Sequence, residues 1–198
     1  MRKNRLVPVL LMLALSATPA PAGTAVEITE VGKQPVETDF PSGGHLRVDL
    51  CSSEVEIRGT EGSRIRVLYD SESEPDRVRI KSTGGDGELQ VEDCPHNDFR
   101  ITIEVPRLTV LHLRMFAGQL EVKGVTGNKD LELHAGELDV DVGETGDYAL
   151  VDASVVTGEV DAAPFKVSKG GLFRSFDWKG PGKYRLHAHV GAGQVTFK

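Results

Sequence analysis

The chain has 198 residues, of which 39% are hydrophobic and 27% are charged, so it can bury a core and is not a disordered protein. Its length suits one domain or one repeat array. The formal net charge of −7 disfavours a nucleic-acid binder that works through a basic patch. Glycine occurs 22 times, well above the usual level of about 7%, which predicts many chain reversals.

Residues 1–22 have the pattern of a secretory signal peptide, with a basic start, an apolar stretch and small residues before Gly23. These parts are, in order, Arg2, Lys3 and Arg5, then residues 6–15, then Ala20, Pro21 and Ala22. The apolar stretch is shorter than the roughly 20 residues that a transmembrane helix needs. We therefore expect an exported protein that is periplasmic, on the cell surface or extracellular, with no transmembrane segment after cleavage. The mature chain, residues 23–198, is expected to fold as a single all-β domain.

Two cysteines, Cys51 and Cys94, remain after the signal peptide. In an exported protein a disulfide between them is expected, and the chain-entropy model gives such a loop a stabilisation of about 4 kcal/mol. The alternative is a pair of buried free thiols. The sequence has neither a CxxC motif nor a cysteine-rich metal cluster, which disfavours redox catalysis and a zinc site.

A short motif recurs along the chain: a small residue, glycine, an acid or amide, an aliphatic residue, a polar residue and an apolar residue. Five copies are centred on Ser53, Gly118, Gly136, Gly158 and Gly193, with serine in place of glycine in the first, and a partial copy lies at 87–91. Aligned on this position, the columns three and five residues before it, and two and four after it, are apolar throughout. Polar columns alternate with them, which is the period of a β-strand with one buried face.

The side occupied by the apolar columns changes across the central glycine. A flat strand cannot change sides in this way, so a bulge or corner has to absorb one residue there, and glycine tolerates the backbone angles of such a corner. Stacked copies would place equivalent residues about 4.8 Å apart, and only stacked neighbours can bury the apolar stripe. Further strands are expected at 64–69, 77–82 and 99–105.

The predicted fold is therefore all-β: a stacked-strand β-solenoid or β-roll, similar to a right-handed β-helix. A β-sandwich is the alternative, because strands spaced by roughly 8–12 residues fit that architecture too.

Residues 101–198 resemble a bacterial family of "putative adhesin" domains (domain of unknown function 4097), which is related to auto-transporter adhesin head domains. The residues that carry the resemblance are Val105-Pro106, the copies at Gly118, Gly136 and Gly158, and the closing segment 190–195. The resemblance implies an exported, all-β, strand-stacked protein with no shared enzymatic activity and no catalytic residues to transfer. Ser53 and the two cysteines depart from the family's pattern.

The polar columns offer a possible ligand-binding face. One outward column carries two histidines and two aspartates: His112, Asp130, Asp152 and His187. Histidine beside carboxylate is the combination that a metal ion or an acid–base pair needs, but a solvated face with alternating charges is the simpler interpretation. His134 lies at the corner with no partner in the repeat.

Acidic side chains are expected to project outward after the glycines: Glu54, Glu56, Glu121, Glu137, Asp139, Glu159 and Asp161. Such oxygens can bind Ca²⁺, and paired carboxylates hydrolyse glycans, but an ordinary soluble surface is the simpler interpretation. A group of aromatic residues near the C-terminus, which includes Trp178, predicts a cap over an open sheet end. A patch on which a ligand stacks is the alternative.

The sequence contains no GxSxG elbow, P-loop, dinucleotide fingerprint or HExxH motif, so no common catalytic site is indicated. We expect a non-enzymatic protein of the cell envelope that needs no cofactor and presents a polar, repetitive face to a protein or glycan partner. The alternatives are a carbohydrate-active β-helix enzyme that uses outward carboxylates, and an accessory domain for envelope stress.

Overall fold

The computed structural model describes residues 28–31, 35–70, 78–91 and 99–198. These residues form twelve β-strands, with short 3-10 turns at Thr145–Asp147 and Ala163–Phe165. The strands are β1 (Ile28–Val31), β2 (Val36–Asp39), β3 (His45–Thr60), β4 (Arg64–Asp70), β5 (Val78–Thr83), β6 (Asp86–Val91), β7 (Arg100–Pro106), β8 (Val110–Lys123), β9 (Lys129–Val140), β10 (Tyr148–Ala162), β11 (Val167–Lys179) and β12 (Tyr184–Phe197). The prediction of an all-β fold is confirmed, and the strands expected at 64–69, 77–82 and 99–105 correspond to β4, β5 and β7.

Two predictions concern residues outside the described ranges. The signal peptide at 1–22 lies there, and so does Cys94, so export and the Cys51–Cys94 disulfide stay predictions. Within the described ranges, no helix has the length and apolar character needed to span a membrane.

All twelve strands belong to one mixed sheet. Its main path runs β1-β5-β6-β3-β8-β9-β12-β10-β11, and β7, β4 and β2 extend it from the second half of β3. The five long strands β3, β8, β9, β12 and β10 are parallel neighbours, whereas β11 pairs antiparallel with β10. The centre of the molecule is therefore the parallel stack of strands that carry the glycine motif.

The pairing register places each predicted apolar column side by side across the stack. Leu113 of β8 pairs with Leu131 of β9, and Leu131 pairs with Ala188 of β12. In the next column Val155 pairs with Val190. All twenty residues in the four apolar columns are buried, so these columns form the core.

Each long strand changes its buried side at the central glycine. In β8 the buried residues are Leu111, Leu113 and Met115 before Gly118, and Leu120 and Val122 after it. Residues from both halves belong to one hydrophobic core. The sheet therefore folds over along the line of glycines, so that both halves cover the same interior.

Chain length requires this fold within β8. Lys129, the first residue of β9, is paired with Leu111 near the start of β8. The six residues from Lys123 to Lys129 span at most about 21 Å, but a straight strand from Leu111 to Lys123 would measure about 40 Å. Because the chain has to return to its starting edge, β8 must double back, and Gly118 is where its buried side changes.

The order of the strands does not confirm the predicted β-solenoid or β-roll. In a regular solenoid each copy lies against the next copy in the chain, but here β12 lies between β9 and β10. Antiparallel pairs also flank the stack, including β10–β11, β5–β6 and β4–β7. The described strands form one open mixed sheet rather than a continuous solenoid, and they do not divide into the two separate sheets of a sandwich.

Candidate functional site

The exposed side of the parallel stack ahead of the glycines carries two rows of polar side chains, which we call the ladder face. The first row, in spatial order from β3 to β10, is Arg47, His112, Asp130, His187 and Asp152. The second row is Asp49, Arg114, Glu132, His189 and Ser154. The structure thus brings together four of the five predicted ligand-face residues.

The first row alternates histidine and aspartate. His112 Nδ1 lies 3.3 Å from Asp130 Oδ2, and His187 Nδ1 is in hydrogen-bond contact with Asp152 Oδ2. Chain order would have placed Asp130 directly beside Asp152, and like charges opposite one another destabilise a sheet. The position of β12 between β9 and β10 replaces that repulsion with a His–carboxylate pair.

The second row is also paired across strands. Arg114 Nε lies 3.2 Å from Glu132 Oε2, and Ser154 Oγ lies 2.8 Å from His189 Nδ1. Paired neighbours hold these side chains in place on a rigid sheet, so the ladder face offers fixed donors and acceptors to a partner.

Two open depressions lie along the two rows. One of about 590 Å³ lies over the starts of the strands and is lined by His112, Asp130, Asp152 and His187. A second, of about 350 Å³, lies nearer the glycines, and Glu132 borders both. Among the described residues, no group of three or more His, Cys, Asp or Glu side chains is arranged to hold a metal ion.

Trp178, the fifth predicted ligand residue, lies elsewhere. It pairs with Val151 on the core side of β11 and packs against Phe165, with ring centroids 5.0 Å apart. Phe176, two residues earlier, is buried beside the same ring. This aromatic group covers the end of the core, and it is on the opposite side of the sheet from the ladder face.

The acidic side chains after the glycines form a separate surface. Lys123 Nζ lies 2.8 Å from Glu121 Oε2 and 3.3 Å from Glu56 Oε1. Arg58 also donates a hydrogen bond to Glu56, and this bond is the main reason that the pKa of Glu56 lies below its ordinary value. Lysine and arginine thus neutralise part of this surface.

Sequence reasoning missed Lys129, a buried amine inside the core. It occupies the row seven residues before the glycine, where the other long strands carry Leu46, Leu111, Leu186 and Val151. Its side chain is only 2% exposed, and its Nζ donates a hydrogen bond to the Tyr148 hydroxyl at 2.6 Å. Burial lowers the pKa of Lys129 to about 7 and raises the pKa of Tyr148. Extending the aligned columns by two residues would have revealed it.

Sequence reasoning also missed an aromatic pair beside the ladder face. The rings of Phe116 and His134 are stacked, with centroids 4.9 Å apart and planes 14° apart. Phe116 is 61% exposed. His134 therefore has a partner at the equivalent position of the neighbouring strand, which corrects its description as unpaired, and the exposed phenylalanine in a polar surface was the signal for it.

Comparison with known proteins supports the fold. No family model and no curated protein matches the sequence. The structure is similar to the crystal structure of a "putative cell adhesion protein" from Clostridium sporogenes, with a TM-score of 0.52 and 14% identity over 88% of this chain and 100% of that chain. A "putative adhesin" from Bacteroides fragilis has a TM-score of 0.26 and 10% identity, over 88% of this chain and 98% of that one. The likeness to the Clostridium protein shows that the chain has an adhesin-like fold.

Proposed function

We propose that this chain is an exported, non-enzymatic, adhesin-like binding module of the bacterial cell envelope, whose ladder face contacts a protein or glycan partner. The observation that carries the proposal is the ladder face itself: two registered rows of paired polar side chains that line two adjacent depressions. The signal-peptide pattern at 1–22 supports export.

The ladder face suits recognition because its polar groups are already ordered. Side chains held by neighbours lose little freedom when a partner binds, which lowers the cost of association. Carboxylates alternate in the ladder face with histidine and arginine side chains, so a partner needs a matching pattern of polar groups rather than one net charge. Specificity would then come from the arrangement of donors and acceptors.

The non-enzymatic part of the proposal rests on the lack of common catalytic motifs in the sequence. Trp178, the aromatic residue that the sequence offered as a ligand residue, packs against Phe165 and lies away from the acids of the ladder face.

A binding experiment with matched variants tests the proposal. The chain from residue 23 onward is immobilised and exposed to envelope extract and to a glycan array. Arg114→Glu reverses a 60% exposed charge in the ladder face, and Arg64→Glu is the control, because Arg64 is 65% exposed and also paired with a carboxylate, on β4. Capture that Arg114→Glu abolishes and Arg64→Glu preserves is the expected result. Equal capture by both variants, or no capture by the unaltered chain, would contradict the proposal.

A further inference from the structure

A third row on the same exposed side is apolar, and we call it the aromatic row. It runs across β8, β9, β12, β10 and β11, and consists of Phe116, His134, Gly191, Val156 and Phe173. The order of the row follows from the paired residues next to it in each strand. These residues are, from β8 to β11, Met115, Leu133, Val190, Val155 and Arg174. The row lies between the ladder face and the line of glycines.

The exposure of this row is unusual for the molecule. Five large hydrophobic side chains are exposed in the described part of the chain, and three of them, Phe116, Val156 and Phe173, lie in this row. Phe173 is 79% exposed and has a φ of 52°, a left-handed conformation that is costly for a bulky residue. A cluster of exposed apolar side chains with a polar rim often marks an interaction surface, whereas single exposed apolar side chains are common and need no explanation.

We infer that the aromatic row and the adjoining second row of the ladder face bind a linear, uncharged glycan that lies across the strands. This inference rests on the proposed function and names the chemistry of its partner. The C–H groups of a sugar ring can pack against an exposed aromatic side chain, and Phe116 is 61% exposed although one face of its ring stacks on His134. The hydroxyl groups of the sugar would meet Arg114 and Glu132, which line the same depression as Phe116 and His134.

The dimensions favour a chain of sugars over a single one. Phe116 on β8 and Phe173 on β11 are separated by four strand spacings, or about 19 Å. Gly191 has no side chain, so the surface between His134 and Val156 is open. A ligand along this line has one apolar side against the aromatic row and one polar edge against the ladder face, which matches a linear oligosaccharide.

The sheet face is less suited to a peptide strand. Extended peptides bind mainly through backbone hydrogen bonds at a free sheet edge, whereas the backbone groups of β8, β9, β12 and β10 are directed at neighbouring strands. A polyanionic glycan is also disfavoured, because the second row beside the aromatic row carries two carboxylates, Asp49 and Glu132, and its one arginine, Arg114, is paired to Glu132.

Isothermal titration calorimetry with neutral linear hexasaccharides tests the inference: cellohexaose, chitohexaose and maltohexaose as probes for the chain from residue 23 onward. Phe116→Ser removes one end of the aromatic row and Phe173→Asn removes the other, since asparagine tolerates the left-handed backbone. Leu172→Ser is the control, because Leu172 has the same 61% exposure as Phe116 but lies outside the row. Thermal melts establish that each variant is folded.

The expected result is binding of at least one hexasaccharide that Phe116→Ser and Phe173→Asn each weaken about tenfold, and that Leu172→Ser leaves unchanged. Equal loss in the control, no loss in either row variant, or no binding of any of the three probes would overturn the inference. If no sugar binds but the chain captures an envelope protein through Arg114, the inference fails and the proposed function stands. If neither occurs, both fail.

Discussion

Gly118 and Gly136 stack so closely that a Cβ atom on Gly136 would lie 1.9 Å from the carbonyl oxygen of Gly118. The same relationship continues from Gly136 to Gly193, at 1.8 Å, and from Gly193 to Gly158, at 1.7 Å. All four residues have φ between 123° and 142°, where side chains are strongly disfavoured. Glycine is therefore required at each position for two reasons: the backbone conformation disfavours a side chain, and the neighbouring strand leaves no room for a Cβ atom.

Ser53 can replace glycine because it stands at the end of this line. It contacts Gly118 on one side, but the strands on its other side, β6 and β7, pair with residues 45–49 and 54–60 and leave residues 50–53 between them. Its φ is not in the positive range. The first copy thus departs from the motif at the one place where the structure permits a side chain.

Gly136→Ala should destabilise the protein by about 3 kcal/mol, because it adds a clash with backbone atoms to an unfavourable φ. Gly146→Ala is the matched control: a Cβ there meets nothing within 4 Å, so it should change stability by less than about 1 kcal/mol. Urea unfolding measures both. Similar free energies of unfolding for the two variants would show that the glycines do not stack as described.

The position of β12 has an electrostatic basis along its whole length. Its outward residues His187, Gln194 and Thr196 separate acidic residues of β9 from those of β10, and His189 lies between Glu132 and Ser154. In chain order, Glu137 would face Glu159 and Asp139 would face Asp161. Cross-strand pairs of like charge are destabilising, so the observed order avoids several of them at once.

Gln194→Glu should therefore destabilise the protein by roughly 0.5–1 kcal/mol, because the new carboxylate would lie between Glu137 and Glu159. Gln194→Lys should instead stabilise the protein, because its positive charge would lie between the same two carboxylates. Both changes should shrink at high salt, since salt screens exposed charges. Thermal unfolding at low and high salt checks this, and a stabilising Gln194→Glu would be incompatible with the strand order.

Lys129 should make stability depend on pH. Burial lowers the pKa of Lys129 to about 7 in the folded state, whereas in the unfolded chain it is near 10.4. Between these values the unfolded state binds the extra proton, so the free energy of unfolding should rise with pH, by up to about 1.4 kcal/mol per unit. Below pH 7 both states are protonated and this slope should vanish.

Lys129→Met removes this titration and should flatten the profile between pH 7 and about 9.5, below the range in which tyrosine ionises. Urea unfolding of both proteins at several pH values gives the comparison. Parallel profiles for the two proteins would mean that the Lys129 amine is charged in the folded state throughout this range.

The predicted Cys51–Cys94 disulfide should raise stability by about 4 kcal/mol. Adding reductant should lower the melting temperature of the oxidised protein, and the Cys51→Ala/Cys94→Ala variant should melt at the reduced temperature under both conditions. Peptide mapping by mass spectrometry identifies the bond directly. An unchanged melting temperature in reductant would argue for two free thiols.

The sequence was sufficient to predict the strand interiors and the register. Alternating columns such as Leu113, Leu131 and Ala153 determine which face is buried, and the change of side at each glycine locates the bend. These columns could not determine which strand lies beside which, because every copy presents the same apolar pattern. Only the polar columns carry information on the order β9-β12-β10, because in this order His187 separates Asp130 from Asp152.

The parts of the candidate site that were missed are exceptions to the repeat. Lys129 stands where the other long strands have aliphatic residues, and Phe116 lies on the outward side of the sheet, where the two neighbouring rows are polar. A search for shared pattern passes over both. For Trp178 the sequence left both a cap and a ligand patch open. The antiparallel pairing of β11 with β10, which the repeat does not predict, places it on the core side.

Nuclear Overhauser contacts between glycine protons report directly whether the glycine-bearing strands stack in the order β8-β9-β12-β10. Contacts are expected from Gly136 to Gly193 and from Gly193 to Gly158. None is expected from Gly136 to Gly158, because these residues are two strand spacings, or about 9.6 Å, apart. A direct contact between Gly136 and Gly158, with none from Gly136 to Gly193, would rule out this strand order.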